Sequence, residues 1–271
     1  MNDTKFWDKL RGKIYTGKGG WVPGEGMYNH GYSVMEDLVG KKSFFQILIL
    51  TVTGRMVKQK LADWIENSFS LFNTPDSRIW CNQIGSLGGT LRASPIASCC
   101  AGNLAGDSSH YGAATLFPAV QFIVDALSKK KNGMTPEEIV KAYQRSPGFS
   151  PVIAGYARPV ARGDERVIAM ERVRKQLGFE TGEHLALAFE FSDMFLKKYN
   201  ESINISGYEA AFLSDHGFDA KEVYRIYSMG LNGVRACYAE AYEQVPESFF
   251  PLHCEDIDYQ GKSSRPVPPV A

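Results

Sequence analysis

Helix-start signals and helical apolar spacing constrain the fold of this chain more than any other feature. Residues 135–138 (TPEE) combine an N-cap threonine, a proline at the first helical position and a capping-box glutamate. Asp219 and Glu222 repeat the capping-box pattern ahead of residues 223–244, and Asp164 can cap the segment that follows it. These signals predict a chain built mainly from helices.

Apolar spacing supports the same fold class. Residues 41–72 carry apolar side chains three and four positions apart, which predicts two helices broken near Thr53 and Gly54. Strand-like alternation is scarce, although the glycine-rich residues 14–33 predict turns and a short hairpin. The proline-rich end, residues 263–271, predicts an extended tail. We therefore expect an all-α fold with glycine-rich loops.

Composition and charge exclude several classes of function. The 271 residues are 44% hydrophobic, which is enough for a proper core, and 30 basic side chains balance 30 acidic ones. This balance provides no field to attract nucleic acid. The longest apolar run, FFQILILTV, is much shorter than the roughly 20 residues of a membrane span, and the start lacks the apolar core of a signal peptide. We expect a cytoplasmic protein that binds neither nucleic acid nor membrane.

Cysteine and histidine spacing gives no sign of a disulfide framework or a metal site. The five cysteines form no CxxC pair, and an odd number favours reduced, buried thiols. The five histidines lie far apart in the sequence, and no HExxH pattern occurs. We therefore predict no metal.

The region 81–127 is dense in glycine, alanine and serine, which is typical of closely packed helices. Its exception is GDSSHYG, where His110 lies between polar residues and the start of an apolar helix. A lone histidine at such a junction can be a structural residue or can bind a ligand or transfer protons, and both readings stay open.

Residues 154–166, AGYARPVARGDER, introduce a family resemblance. They are similar without a gap to P-G-F-G-H-P-V-Y-R-G-D-P-R, a run typical of the citrate synthase superfamily. Four other segments resemble the superfamily in the same order: HGYSVMEDLVGKKSFFQILILTVTGR, SSHYGAAT, the long run that begins INISGYEAAF, and YQGKSSRPVPP. The resemblance covers about residues 30 to 268, and the short length resembles citryl-CoA lyase.

The resemblance implies an all-α fold with a large helical domain and a smaller inserted one. We place the large domain at residues 1–115 and 217–271 and the small domain at 116–216, with the active site in the cleft between them. It also implies a homodimer or homotetramer. The implied substrates are a coenzyme A thioester and a small-molecule carboxylate.

The family's two histidines and one aspartate carry its Claisen-type chemistry, and this chain keeps one of the three. His110 matches the histidine that hydrogen-bonds the thioester oxygen as it becomes an enolate. Arg158 replaces the second histidine; a guanidinium cannot act as acid or base, but it can hold a carboxylate. Ser206 replaces the aspartate. Glu209, about one helical turn further on, either substitutes for that base or is a solvated helix residue.

Three further residues match anion-binding positions of the family. The resemblance places Arg162 against the coenzyme A phosphates and Arg166 against a substrate carboxylate, and Asn82 falls near another substrate-binding position. The chain therefore retains the family's anion-binding arginines, whereas two of the three residues that carry the family's proton-transfer chemistry are replaced.

Three functions follow from this reading. The first is an enzyme that makes or cleaves a carbon–carbon bond in a carboxylate-bearing acyl-CoA or a related 2-oxo or hydroxy acid, with citryl-CoA lyase-like cleavage as the nearest named activity. The second is a diverged biosynthetic enzyme that acts on an organic acid without coenzyme A. The third is a catalytically silent homologue that binds a metabolite or partners an active subunit.

Overall fold

The computed structural model describes residues 4–12, 14–146, 149–158, 163–246 and 253–268. These residues form twelve α-helices: α1 (Lys5–Leu10), α2 (Phe44–Thr53), α3 (Gln59–Ser70), α4 (Trp80–Thr90), α5 (Pro95–Gly106), α6 (Leu116–Lys131), α7 (Pro136–Lys141), α8 (Glu165–Gln176), α9 (Glu183–Tyr199), α10 (Ile205–Asp215), α11 (Ala220–Tyr227) and α12 (Gly233–Gln244). The predicted all-α fold is thus confirmed.

The predicted hairpin near the N-terminus is a small antiparallel sheet. Its strands are β1 (Gly19–Val22), β2 (Gly26–Asn29) and β3 (Tyr32–Ser33), in that order across the sheet. Gly19 pairs with Asn29 and Val22 with Gly26.

Helix ends follow the signals read from the sequence, with one difference. Gly54 ends α2 in the left-handed region, at φ 80°, and both predicted capping boxes form, at Thr135 and Asp219. The capping box at Asp219, however, starts only the short helix α11. Residues 228–232 separate it from α12, and Met229 adopts φ 63° within that turn.

The main core joins residues from both predicted domains. Side chains of α2, α3 and all helices from α6 to α11 form one apolar cluster, in which the ring of Trp64 stacks on that of Phe212 at 3.9 Å. The predicted division into two domains stays a prediction; it assigns residues 1–115 and 217–271 to the large domain and 116–216 to the small one. The apolar cluster contains residues from both predicted domains.

Three helices form a second packing unit. Helices α4, α5 and α12 enclose a small cluster of Cys81, Leu231 and Val234. A Cβ atom on Gly85 would lie 2.5 Å from the carbonyl oxygen of Val234, and one on Gly102 would lie 2.6 Å from the Val234 side chain. The glycine-rich region therefore serves close helix packing. None of the described helices is long and apolar enough to cross a membrane.

Candidate active site

His110 lies in a short, well-anchored loop between α5 and α6. The Asp107 carboxylate accepts hydrogen bonds from the Ala114 amide at 2.8 Å and the Tyr224 hydroxyl at 2.6 Å. Gly112 adopts φ 75°, and a Cβ there would lie 2.2 Å from the Gly106 carbonyl oxygen. The imidazole itself is exposed, with Nδ1 2.8 Å from the Ser109 hydroxyl. The loop therefore fixes the backbone and leaves the ring accessible to a ligand.

The residues that follow His110 connect this loop to α8 and α10. Tyr111 packs edge-on against Trp80. Burial raises the pKa of Tyr111, the Cys81 thiol adds to this effect, and the charge of Arg166 opposes it. Further along, the hydroxyls of Thr115 and Ser206 lie 2.9 Å apart. The predicted residues His110, Arg166 and Ser206 therefore belong to neighbouring parts of one region.

Asp164 organises this region, although the sequence identified it only as a helix cap. Its fully buried carboxylate accepts hydrogen bonds from two backbone amides, that of Arg166 at the start of α8 and that of Ile205 at the start of α10. It also accepts hydrogen bonds from Nε and Nη2 of the Arg166 guanidinium, at 2.8 and 2.7 Å. Burial alone would raise its pKa, but the hydrogen bonds and charge of Arg166 and the backbone amides outweigh burial, so the pKa of Asp164 is lowered.

Arg158 lies beside the same carboxylate. Its Nη1 is 3.7 Å from Asp164 Oδ1 and donates a hydrogen bond to Glu165, while only 21% of the Arg158 side chain is exposed. Arg158 therefore faces the junction of α8 and α10 and does not extend into bulk water. Among the described residues, no hydrogen bond or ion pair joins Arg158 to His110.

The backbone before Arg158 is fastened to the start of α10. The Asn204 side chain donates to the Ala157 carbonyl at 2.8 Å, and the Ala157 amide donates to the Ser202 carbonyl at 2.9 Å. Gly155 and Gly207 touch, since a Cβ on Gly207 would lie 2.3 Å from the Gly155 carbonyl oxygen. This contact brings the segment before Arg158 against the first turn of α10, which contains Ser206.

Glu209 lies fully buried behind Ser206, so the alternative of a solvated helix residue is wrong. Ser68 donates a hydrogen bond to its Oε1, and the Tyr227 hydroxyl donates to Ser68 at 2.9 Å. Its Oε2 has no hydrogen-bond partner among the residues that the structure describes. Burial raises the pKa of Glu209 to about 8, although the Ser68 hydrogen bond and the charge of Arg166 oppose the shift. At neutral pH Glu209 is therefore mostly a neutral acid.

Two predicted residues stand apart from this arrangement. Asn82 is buried in α4, and its amide donates to the Thr74 and Asp76 carbonyls at 3.2 and 2.9 Å, which ties the preceding loop to the helix. Its predicted contact with a substrate stays a prediction. Arg162 lies outside the described residues, so its role against coenzyme A is likewise a prediction.

The arrangement is suited to hold an anion. The N-termini of α8 and α10 meet at the ionised Asp164 carboxylate, which already accepts the Arg166 and Ile205 amides and two donors of the Arg166 guanidinium, so a substrate anion would meet Arg158 and the remaining N–H groups of Arg166. The Arg158–Glu165 pair is a weak one because 71% of the Glu165 side chain is exposed, and a substrate carboxylate could take its place. No cluster of metal-ligating side chains occurs in the part of the chain that the structure describes.

Sequence reasoning missed the residues that hold this site together. Asp107, Tyr111, Asp164 and Ser68 fix the predicted groups through hydrogen bonds or ring contacts. The sequence carried one signal for them, since Asp164 lies in the GDER run between Arg162 and Arg166.

Comparison by sequence and by structure gives different results. Neither a protein-family sequence profile nor a curated protein sequence matches the chain. Among solved structures, it is similar to citryl-CoA lyase from Hydrogenobacter thermophilus, with a TM-score of 0.78 and 23% identity over 94% of this chain and 97% of that one.

Two other solved structures have the same architecture. ATP citrate lyase from Methanothrix soehngenii, in complex with citrate and coenzyme A, matches with a TM-score of 0.76 and 17% identity over 96% of this chain and 44% of that one. Citrate synthase from Thermoplasma acidophilum, in complex with carboxymethyl coenzyme A and oxaloacetate, matches with a TM-score of 0.55 and 14% identity over 84% and 59% of the two chains. The chain therefore has the citrate synthase-like fold, as the resemblance in its sequence predicted.

Proposed function

We propose that this protein is a citrate synthase-like enzyme that makes or cleaves a carbon–carbon bond in a carboxylate-bearing acyl-CoA, with citryl-CoA cleavage as its reaction. One observation carries the proposal: the segment that begins with His110 reaches Ser206 on α10 through Thr115, and the start of α10 bonds to Asp164, beside Arg158 and Arg166. The similar solved structures include a citryl-CoA lyase, and two others hold coenzyme A or its carboxymethyl derivative.

The proposed step is a retro-Claisen cleavage. Solvent water, which reaches the site because His110 is exposed, takes the proton of the substrate hydroxyl; the carbon–carbon bond breaks, its electron pair forms the enolate of acetyl-CoA, and the former hydroxyl carbon becomes the ketone of oxaloacetate. His110 donates a hydrogen bond to the enolate oxygen, and a proton on carbon then completes acetyl-CoA beside oxaloacetate. Arg158 and Arg166 hold the carboxylates throughout, and Arg162 binds the coenzyme A phosphates.

Ser206 matches, by the resemblance, the family's carboxylate base, and Glu209, three residues further on, is a nearby carboxylate that we propose takes part. Ser206 is a neutral hydroxyl bonded to Thr115, and the raised pKa of Glu209 favours a proton donor over a base at neutral pH. Glu209 would therefore supply the proton that converts enolate to acetyl-CoA, with Ser206 orienting the substrate hydroxyl.

A direct assay tests this function. We expect the protein to release acetyl-CoA and oxaloacetate from citryl-CoA, and expect little free thiol when acetyl-CoA and oxaloacetate are supplied together. Cleavage conserves the thioester and frees no thiol, so oxaloacetate is measured by its NADH-dependent reduction to malate with added malate dehydrogenase, and free thiol by a chromogenic disulfide reagent. If neither mixture turns over while a di- or tricarboxylate alone raises the melting temperature, the protein binds an organic acid without this chemistry, and the proposal is wrong.

The proposed enzyme is a homodimer, and a second copy covers the outer face of α4 and α5. Ile96 and Leu104 lie two turns apart on α5 and are each 76% exposed, and Leu87 and Leu91 extend the apolar face on α4. Small residues, two alanines and Cys100, lie between them on α5, which would let another helix approach this face closely.

Charge on this face should break the dimer. We expect Leu104→Glu to convert the protein to a monomer in size-exclusion chromatography with light scattering, because each copy would bury an unpaired carboxylate in the apolar contact. Leu196→Glu, at an exposed leucine of α9, is the control and should leave the mass unchanged. A wild-type protein that is already monomeric at micromolar concentration contradicts the proposed dimer.

A further inference from the structure

A cavity lies away from the predicted site, between the loop that joins α2 to α3 and the segments that follow α8 and α10. Its volume is about 380 Å³, and its walls include Arg55, Lys58, Lys60, Leu61 and Phe179. Pockets for small molecules begin at about 300 Å³. Of the described residues predicted for the active site, none lines it.

Arg55 lines this cavity and is held in place by several contacts. Its guanidinium donates to the carbonyls of His216 and Gly217, both at 3.0 Å, and lies 4.2 Å above the ring of Phe218. Glu222, 3.5 Å from the guanidinium, neutralises part of its charge. These contacts hold the cation in place before any ligand arrives.

Lys58 and Lys60 are exposed lysines at the rim of the cavity. The Lys60 ammonium lies 4.2 Å from the centre of the Phe179 ring. Lys60 also donates a hydrogen bond to the Gly178 carbonyl at 3.4 Å, which does not neutralise its charge. Among the ion pairs of the described residues, neither lysine has an acidic partner, so both charges are unbalanced.

The backbone adds to this positive potential. Lys58 is the N-cap of α3 and makes no side-chain hydrogen bond to the first turn. The positive end of this twelve-residue helix thus faces the same space as the two lysines. Beneath the charges, Val57, Leu61 and Phe179 give the cavity an apolar floor.

We propose that this cavity binds a phosphate monoester whose phosphate is attached to a flat, largely apolar group, of the size of a nucleoside monophosphate. Lysine ammonium groups and helix N-termini both favour phosphate, whose two negative charges match the excess of cations over Glu222. The volume and the apolar floor leave room for the attached group. The site is distinct from the carboxylate site at Arg158 and Arg166.

Calorimetric titration with adenosine monophosphate, adenosine and inorganic phosphate tests the proposal. We expect saturable binding of the monophosphate, at least about tenfold tighter than that of adenosine, and competition by inorganic phosphate. In Lys58→Gln/Lys60→Gln the affinity should fall about tenfold or more. The control, Lys141→Gln/Lys197→Gln, removes the same charge from two exposed helix lysines and should bind like the wild type. An equal loss in both variants would mean general charge attraction and would overturn the proposal.

A second measurement, made on the wild-type protein, locates the bound ligand and does not depend on whether a lysine variant folds. Acetylation of lysines, read by mass spectrometry of peptides, should slow at Lys58 and Lys60 when adenosine monophosphate is present and should not slow at Lys141 or Lys197. The same protection should persist in Arg162→Gln, which removes the proposed coenzyme A contact. Binding that disappears with Arg162→Gln, or protection confined to other lysines, rejects this cavity as the site.

Discussion

Replacing His110 with alanine is expected to lower the rate of citryl-CoA cleavage by about 10²- to 10³-fold. The reason is the loss of the donor that stabilises the enolate oxygen as the carbon–carbon bond breaks. The substrate's carboxylates would still meet Arg158 and Arg166, so the fall should appear mainly in kcat, with KM changing little. Because His110 is exposed and, within the described ranges, its ring hydrogen-bonds to Ser109 alone, the change should leave folding intact.

A matched control separates the role of His110 from a general effect of losing an imidazole. His253→Ala changes another exposed histidine, near the C-terminal end, and should keep the wild-type rate. Melting curves of both variants check that each is folded. If His110→Ala retains its rate, the enolate is stabilised by another group, and the assignment carried by the SSHYGAAT segment is wrong.

Local signals in the sequence predicted the fold well because helix ends depend on near neighbours. The capping boxes at Thr135 and Asp219 each join two residues that are three positions apart. Gly54 ends α2 because its own backbone adopts the left-handed conformation. The break between α11 and α12 has no such box. Its cause is the turn at Met229, a residue type that rarely adopts a positive φ and carries no sequence signal for it.

The candidate site was less predictable because its geometry depends on contacts between distant segments. Matching to a family motif identified His110, Arg158 and Arg166 as candidates. It could not show that Asp164 joins the starts of α8 and α10, since the Ile205 amide lies 41 residues away in sequence. Nor could it show that Glu209 is buried, since its partner Ser68 is 141 residues away on α3.

Asp164 and Glu209 are two carboxyl groups near Arg166 whose pKa values move in opposite directions. Asp164 accepts several donors and is held ionised, whereas Glu209 is more deeply buried and has one hydrogen-bond donor. Environments that separate two acids in this way commonly mark a proton donor and a fixed negative charge. In the proposed reaction, Asp164 positions Arg166 and Glu209 carries the proton.

Stability as a function of pH tests the protonation state of Glu209. Its pKa is raised from an ordinary 4.5 to about 8, so the folded state holds the proton more tightly than the unfolded chain does. The contribution of this group is therefore fully present below about pH 4.5 and is lost as the pH rises towards about 8. Glu209→Gln keeps the neutral shape and cannot ionise, so it should escape this loss.

We therefore expect the stability of Glu209→Gln relative to wild type to improve by up to about 1.4 kcal/mol per pH unit across that window. Urea unfolding followed by circular dichroism, at about pH 5, 7 and 9, measures it, and other titrating groups cancel in the difference. Glu137→Gln, at an exposed glutamate of α7, is the control for the chemical change. A difference between Glu209→Gln and wild type that stays constant with pH would mean that Glu209 is already ionised in the folded protein. It would then be a candidate for the base and could not be the proton donor.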